Sequence, residues 1–240
     1  MRKGEARSIP LMQVIIAALN EEEGIGFTIA ELKDTLGCPR VLVVDGRSID
    51  RTAEIAKRMG ANVVFQDGLG KGDALAKAFE NLDLSVGYIV LTDADFTYPA
   101  EYVLKMVRIL EKDPDVGMVC GNRFTAKLDF RALNSIFYLG NRILALSHYL
   151  LNGVSLIDPL TGLRVVRAEI LRNWKVKSKG FDVEVELNRH VEQEGFGIVE
   201  VPIKYRERVG EKKLGVKHGA ESLMRMILES DVLNVDFKIK

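Results

Sequence analysis

The chain has 240 residues, 47% hydrophobic and 28% charged, an ordinary globular balance with enough length for a large core. Lys plus Arg and Asp plus Glu number 34 each, so nothing global points to nucleic acid, and Cys38 and Cys120 show neither metal-ligand spacing nor a disulfide framework. The opening MRKGEARSIP lacks the apolar run of a secretory signal, and no later stretch qualifies as a transmembrane helix; the expectation is a cytoplasmic protein, soluble or peripheral on a membrane face.

Taken in chain order, the first half alternates strand and helix signals. Residues 12–18 are apolar and partly β-branched, a buried strand, and Asn20-Glu21-Glu22-Glu23 leads into a helix reaching about Leu36. Residues 40–44 form a second strand closed by Asp45-Gly46, and Ser48 and Asp50 offer N-caps for a helix over about 51–59. Residues 62–66 read as a third strand, Gly68-Leu69-Gly70-Lys71-Gly72 as a loop, and 73–82 as a helix. Residues 88–92 are a fourth strand, and Pro99 lets a helix start near Ala100 and continue to about Glu111. A strand over 116–120 follows. This β-α-β-α order predicts an α/β fold, a mostly parallel central sheet flanked by helices. In the second half, 131–151 is long and apolar, predicted helical; 163–166 and 198–203 read as strands. Residues 181–194 read as a helix with Val183, Leu187 and Val191 on one stripe, and 220–228 as a last helix. No repeat or linker interrupts the chain, so one domain over 1–240 is the simplest organisation.

Asp93-Ala94-Asp95 ends the fourth strand, where ligands of open α/β sheets bind. Two carboxylates one residue apart can hold a hard divalent cation, and the cation a diphosphate; alone, the same pair reads as a turn capping the next helix. Asp45 can accept from a base or ribose hydroxyl, or simply close a turn. Asn20 and Glu21 end the first strand, as ligands or as helix N-caps. The glycine-rich turn at 68–72 offers backbone N–H groups and the Lys71 ammonium to a diphosphate, or is a plain loop. It lacks the P-loop spacing, and no G-x-G-x-x-G opens the first helix, so both nucleotide motifs are rejected. What joins these residues is position: polar or acidic side chains close the first, second and fourth strands on one edge. From Lys204 to Lys217, six basic residues stand against Glu207 and Glu211, an anion-binding segment or a solvated loop.

In order, IIAALNEEEG, VVDGRSIDRT, GLGKGDAL, LTDADFTYPAE, GNRF, DPLTGLRV, KGFDVEVEL and VEVPIKYRERVGEKKLG resemble the blocks of the family 2 GT-A glycosyltransferases. The nearest branch is the dolichyl-phosphate mannose/glucose synthases, and the resemblance spans about 12–217. It implies a GT-A fold, a GDP- or UDP-linked sugar donor, Mg²⁺ or Mn²⁺, and an inverting displacement. By position it implies that Asn20, Glu21 and Asp45 contact the nucleoside. Asp93 and Asp95, with Ala94 between them, would hold the metal against the diphosphate, with Arg123 near the phosphates. Arg208 and Lys213 would belong to a basic loop closing over donor diphosphate and acceptor phosphate. Asp158 and Arg164 would line the sugar and acceptor side. About 12–125 would then be the donor half and 126–218 the acceptor side and closing loop, with a helix after 219. The sequence departs from the family at Ala17 (usually Pro), Leu19 (usually aromatic), Asp45-Gly46 (usually an acidic pair), Arg47 (commonly Gly) and Thr97 (often Gln). These departures leave nucleobase and sugar open, and the transmembrane tail of some relatives is not read here.

A phosphate-monoester acceptor is already anionic and needs little general-base help, consistent with blocks that contain none of His148, His190 and His218. A hydroxyl acceptor would need a base, Asp158 or Glu184, although Glu184 also fits a solvated helix face. The apolar 131–151 helix fits a core or dimer-interface element, or an amphipathic surface helix that touches lipid and guides a polyprenyl chain. The expectation is transfer to a polyprenyl phosphate at the cytoplasmic membrane face, with a membrane-anchoring subunit or homodimer compatible. Its alternatives are a soluble acceptor such as a phosphoglycerate and a non-catalytic nucleotide-binding module.

Overall fold

A computed structural model describes residues 11–83, 85–124, 136–172, 174–210 and 224. Lys213 and all but residue 224 of the expected 220–228 helix lie outside them, as does the start of the expected 131–151 helix.

The strands are β1 (Met12–Ala18), β2 (Arg40–Asp45), β3 (Asn62–Phe65), β4 (Tyr88–Asp93), β5 (Val116–Asn122), β6 (Arg164–Arg167) and β7 (Gly197–Pro202). The helices are α1 (Ile25–Leu36), α2 (Thr52–Arg58), α3 (Lys71–Glu80), α4 (Glu101–Lys112), α5 (Ile136–Asn152), α6 (Ala168–Leu171) and α7 (Val183–Gln193). Each expected element among the described residues forms, with described ends shifted by no more than two residues; the short α6 was not expected.

The sheet has seven strands in the order β3-β2-β1-β4-β6-β5-β7. The β3, β2, β1 and β4 pairings are parallel, as is β5 with β7; only β6 runs against its neighbours β4 and β5. An apolar run carries no direction, so the sequence pattern could not reveal that reversal. Alternation along β1 splits the core: Val14 and Ile16 face one apolar layer with Ile25 and Ile29 of α1 and Val103 and Met106 of α4. Ile15 faces the other, with Leu75 of α3 and Val183 and Leu187 of α7. Burial of each such side chain is worth about 2 kcal/mol, so both sheet faces are covered by helices whose apolar stripes fit the 3.6-residue period.

α5 reverses the usual sidedness. Asn141, Leu144, Ala145 and His148 face inward, whereas Leu139, Ile143, Leu146, Tyr149 and Leu150 are exposed. The core-helix reading therefore fails for the apolar side, whose stripe recurs at 139, 143, 146 and 150. Among the described residues no helix is long and apolar enough to cross a membrane.

Candidate active site

Register brings the strand ends together. Ala17 of β1 pairs with Asp93 of β4, and Ala18 pairs with Asp45 of β2, so the three C-terminal ends lie side by side. The loops beyond are laced to one another. The Asn20 N–H donates to the Ser48 hydroxyl at 2.8 Å, and Asn20 Oδ1 accepts the Ile49 N–H at 2.9 Å. The Glu21 N–H donates to Thr52 Oγ1 at 2.7 Å. The capping alternative for Asn20 and Glu21 is thereby corrected: the N-cap of α1 is Gly24, and no side chain caps it. Ser48 ties two loops instead of capping α2, while Asp50 does serve that start, accepting the Thr52 N–H at 2.9 Å. Asp45 is buried; its Oδ1 accepts the Ser48 N–H at 2.8 Å, and Oδ2 has no hydrogen-bond partner among the described residues. Arg47 takes φ 64°, a left-handed conformation that explains why glycine suits the position.

The Asp93–Asp95 turn is clamped from α1. Thr28 Oγ1 donates to the Ala94 carbonyl at 3.1 Å and accepts the Phe96 N–H at 3.1 Å. A Cβ on Gly24 would lie 2.8 Å from the Ala94 carbonyl oxygen, so only glycine lets α1 start this close. Thr97, the residue in the position often held by Gln, donates its hydroxyl to Asp95 Oδ1 at 2.6 Å. Burial would raise the Asp93 carboxyl, but the Lys71 charge and hydrogen bond, with Arg123 and Arg208 further off, hold it below the ordinary range. Asp95 is pushed up, by burial and then by repulsion from Asp93. The pair is thus a concentrated negative charge that cations relieve.

Lys71 is the first residue of α3, and its ammonium lies between Asp93 Oδ1 and Glu184 Oε1, 2.7 Å from each. Glu184 is therefore not on a solvated face; it is buried on α7, and its Oε2 has no hydrogen-bond partner among the described residues. The glycine turn also differs from expectation. The Gly72 N–H donates to the Lys179 carbonyl at 2.9 Å, and a Cβ on Gly70 or Gly72 would overlap the 178–179 backbone. At least that amide is committed to the chain, and the glycines serve close packing.

On the other side, Arg123 follows β5 and forks onto Asp158, Nε and Nη2 each 2.7 Å from its oxygens. Glu200 of β7 fixes that loop by accepting the Ile157 and Asp158 N–H groups, both at 2.8 Å. With both oxygens on a guanidinium, Asp158 is poorly placed as a general base. Arg164 also departs from expectation. It is fully buried, donates to the Thr161 and Pro159 carbonyls at 2.9 and 2.8 Å, and bonds Asn188 Oδ1. Its donors shape the 158–163 loop instead of lining a ligand surface. That loop abuts the acidic pair, because a Cβ on Gly162 would run into the Asp93 carboxylate.

Arg208 crosses back to the edge formed by the first, second and fourth strand ends. One arm donates to Asp95 Oδ2 at 2.8 Å and the other reaches Glu21 Oε1. Sequence reasoning missed Thr28, Gly24, Gly162 and Glu200. Their signals, single small or polar residues far along the chain, acquire meaning only once the strands are ordered.

The donor chemistry fits a divalent cation: hard carboxylate oxygens at a strand end, mutually repelling. Among the described residues no three His, Cys, Asp or Glu gather as a complete cage. A cation held by one or two carboxylates and completed by substrate phosphates needs only the pair.

A mostly parallel sheet with one reversed strand, and an acidic pair closing its central strand opposite arginines, is the arrangement of a glycosyltransferase of the GT-A fold. The model of "Glycosyl transferase family 2" matches residues 13–173. The chain is 35% identical over 221 residues to a dolichyl-phosphate hexose transferase of Haloferax volcanii, covering 91% of this chain and 92% of that one. It is 30% identical over 216 residues to an undecaprenyl-phosphate mannosyltransferase of Micrococcus luteus, covering 83% and 86%. Among solved structures it resembles glucosyl-3-phosphoglycerate synthase of Mycobacterium tuberculosis in complex with Mn²⁺, UDP and glucosyl-3-phosphoglycerate. That likeness has a TM-score of 0.70 at 19% identity, covering 96% of this chain and 86% of that one, and speaks for the fold. The chain belongs to glycosyl transferase family 2 and is a glycosyltransferase.

Proposed function

We propose that the chain transfers a sugar from a nucleoside diphosphate to a polyprenyl phosphate, in one inverting displacement. The observation that carries the acceptor is the outward apolar stripe of α5 beside the 157–160 loop. Asn141 donates to the Ile157 carbonyl at 2.7 Å, and Leu144 packs with Val185 and Leu160. An isoprenoid chain lying along Leu139, Ile143, Leu146 and Leu150 brings its phosphate toward Arg123. The same stripe, with exposed Arg142 beside it, is the surface for peripheral membrane contact. The names of the Haloferax and Micrococcus relatives support this acceptor class.

Asn20, Glu21 and Asp45 hold the nucleoside. Asp93 and Asp95 hold Mg²⁺ or Mn²⁺, which supplies charge neutralisation at the diphosphate. The acceptor phosphate oxygen attacks the anomeric carbon as its bond to the diphosphate oxygen breaks, and the electron pair leaves with the nucleoside diphosphate. Arg123, Arg208 and Lys213 are the groups for the negative charge growing on the leaving group and for the acceptor phosphate. Glu184 Oε2, buried beside the Lys71–Asp93 pair, is the acceptor for a sugar hydroxyl. No base is required, since the nucleophile is already ionised.

The test is a transfer assay with GDP- and UDP-linked sugars, Mg²⁺ or Mn²⁺, and either a short polyprenyl phosphate in detergent or 3-phosphoglycerate. Lipid-linked sugar phosphate is expected; turnover of phosphoglycerate alone defeats the assignment.

A further inference from the structure

Two arginines hold the 204–210 strap, and they are anchored differently. Arg206 forks onto Glu31 at 2.5 and 2.9 Å and lies 4.4 Å over the Phe96 ring, and its N–H donates to the Thr97 carbonyl at 3.0 Å. Glu31 is itself braced by the Ala100 N–H at 3.0 Å. None of these partners belongs to the acidic pair. Arg208, two residues on, is spent on Asp95 Oδ2 and Glu21, and the Val209 N–H donates to the Asp95 carbonyl at 3.1 Å.

The seat of Arg208 has two features of a contact that can be given up. Its Nε is buried with no hydrogen-bond partner among the described residues, so the pairing is incompletely satisfied. Gly210, immediately after Val209, sits at φ 88°, where the chain can redirect at little cost. Asp95 meanwhile has only one oxygen to offer, because Oδ1 already accepts both the Thr97 hydroxyl at 2.6 Å and the Thr97 N–H at 3.2 Å. A divalent cation approaching Asp95 meets Oδ2 and the guanidinium on it. Two cations cannot share one carboxylate oxygen without strong repulsion.

We propose that Arg208 and the divalent cation compete for Asp95, so that cation loading frees the 207–210 strap from the acidic turn while Arg206 keeps its base in place. The inference rests on the cation-dependent reading above. It adds a linkage: what fills the donor site also sets free the arginine that the diphosphate needs. Thermodynamic reciprocity makes the coupling readable from the cation's side.

The experiment is a Mn²⁺ titration of the full chain by the EPR signal of the free ion, in wild type and in Arg208→Ala, Arg208→Gln, Arg206→Ala and Asp95→Asn. Both Arg208 variants should bind Mn²⁺ about tenfold tighter, within the usual range of site coupling. Arg208→Gln keeps most of the stem and guards against a packing loss. Arg206→Ala should stay within about twofold, a bound set by its lack of contact with the acidic pair. Hydrogen exchange at the Val209 amide should speed up when Mn²⁺ is added, while the Arg206 amide stays protected. Unchanged or weaker Mn²⁺ binding in both Arg208 variants overturns the competition, and so does protection of Val209 by Mn²⁺; in either case binding that Asp95→Asn abolishes would leave the cation site standing. Mn²⁺ bound by no variant would defeat the cation site itself, and the competition with it.

Discussion

The two halves of the site are held by different physics. On the donor edge, Asp45, Asp93 and the loop carrying Asn20 and Glu21 are placed by parallel strand register, backbone against backbone. On the facing side, Arg123, Arg164 and Arg208 are placed by side-chain pairing: Arg123 with Asp158, Arg164 with loop carbonyls, Arg208 with residues 113 and 187 positions away. A register is cooperative and survives the loss of any one side chain. The Arg123 and Arg164 contacts do not, because losing either arginine strands buried acceptors, whereas the Arg208 seat is a contact that can be given up. The donor edge should therefore tolerate substitution structurally and fail chemically, while the facing side should fail in both ways.

The sharpest break comes at Arg164. Arg164→Met removes three buried hydrogen bonds and should cost about 4 kcal/mol in urea unfolding, from the stranded Thr161 carbonyl and Asn188 Oδ1 plus imperfect filling. Stability kept within about 1 kcal/mol, a typical surface-mutation effect, alongside collapsed turnover would return Arg164 to the ligand surface. The donor edge makes the opposite case. Asp95→Asn should lower turnover by roughly 10²–10³-fold, the scale of a lost electrostatic stabiliser, with little change in melting temperature. Normal activity in that variant, with a metal still required, would remove Asp95 from the cation site.

This difference also decides what could be read in the sequence. β1, β2 and β4 are apolar runs ending in Asp or Asn-Glu, and both the strand and its closing residue are local facts. Lys71 was legible as a cation near the site, but not its position between Asp93 and Glu184, since Glu184 lies on a helix more than a hundred residues later. Charge on α7 looked like a solvated face because helical periodicity does not say what packs against it. The outward apolar face of α5 was one of two readings left open for the same reason: composition gives the stripe, and only the inward Asn141 and His148 show which side is buried.

His148 gives a pH-dependent test of the second half. Burial, then the charges of Arg164 and Arg189, lower its pKa to about 4 from an ordinary 6.5. The unfolded chain then binds the proton more readily, so stability rises with pH between about 4 and 6.5 and is lost as pH falls through that window. The full span is worth about 3 kcal/mol. Denaturant midpoints of wild type and His148→Gln at pH 7 and pH 4.5 check it. The variant should show the smaller drop, and an equal drop would place the acid sensitivity elsewhere.

The smallest effect sets the two halves against each other with one chemical change. Gly24→Ala adds a methyl 2.8 Å from the Ala94 carbonyl and 2.9 Å from the Asp95 Cα, backbone atoms that cannot rotate away. Gly24 has φ −99°, so the residue pays no conformational penalty and only the contact counts. α1 and the acidic turn must separate, at about 1–3 kcal/mol for overpacking, and turnover should fall because the carboxylates move with the backbone. Gly140→Ala in α5 is the counterpart: nothing lies within 4 Å of the added methyl, and removing glycine from a helix interior should stabilise by up to about 1 kcal/mol. Melting curves and transfer rates on both variants settle it. If Gly24→Ala lost stability but kept full turnover, the acidic turn would tolerate displacement, and tight register would not be what makes the donor edge work.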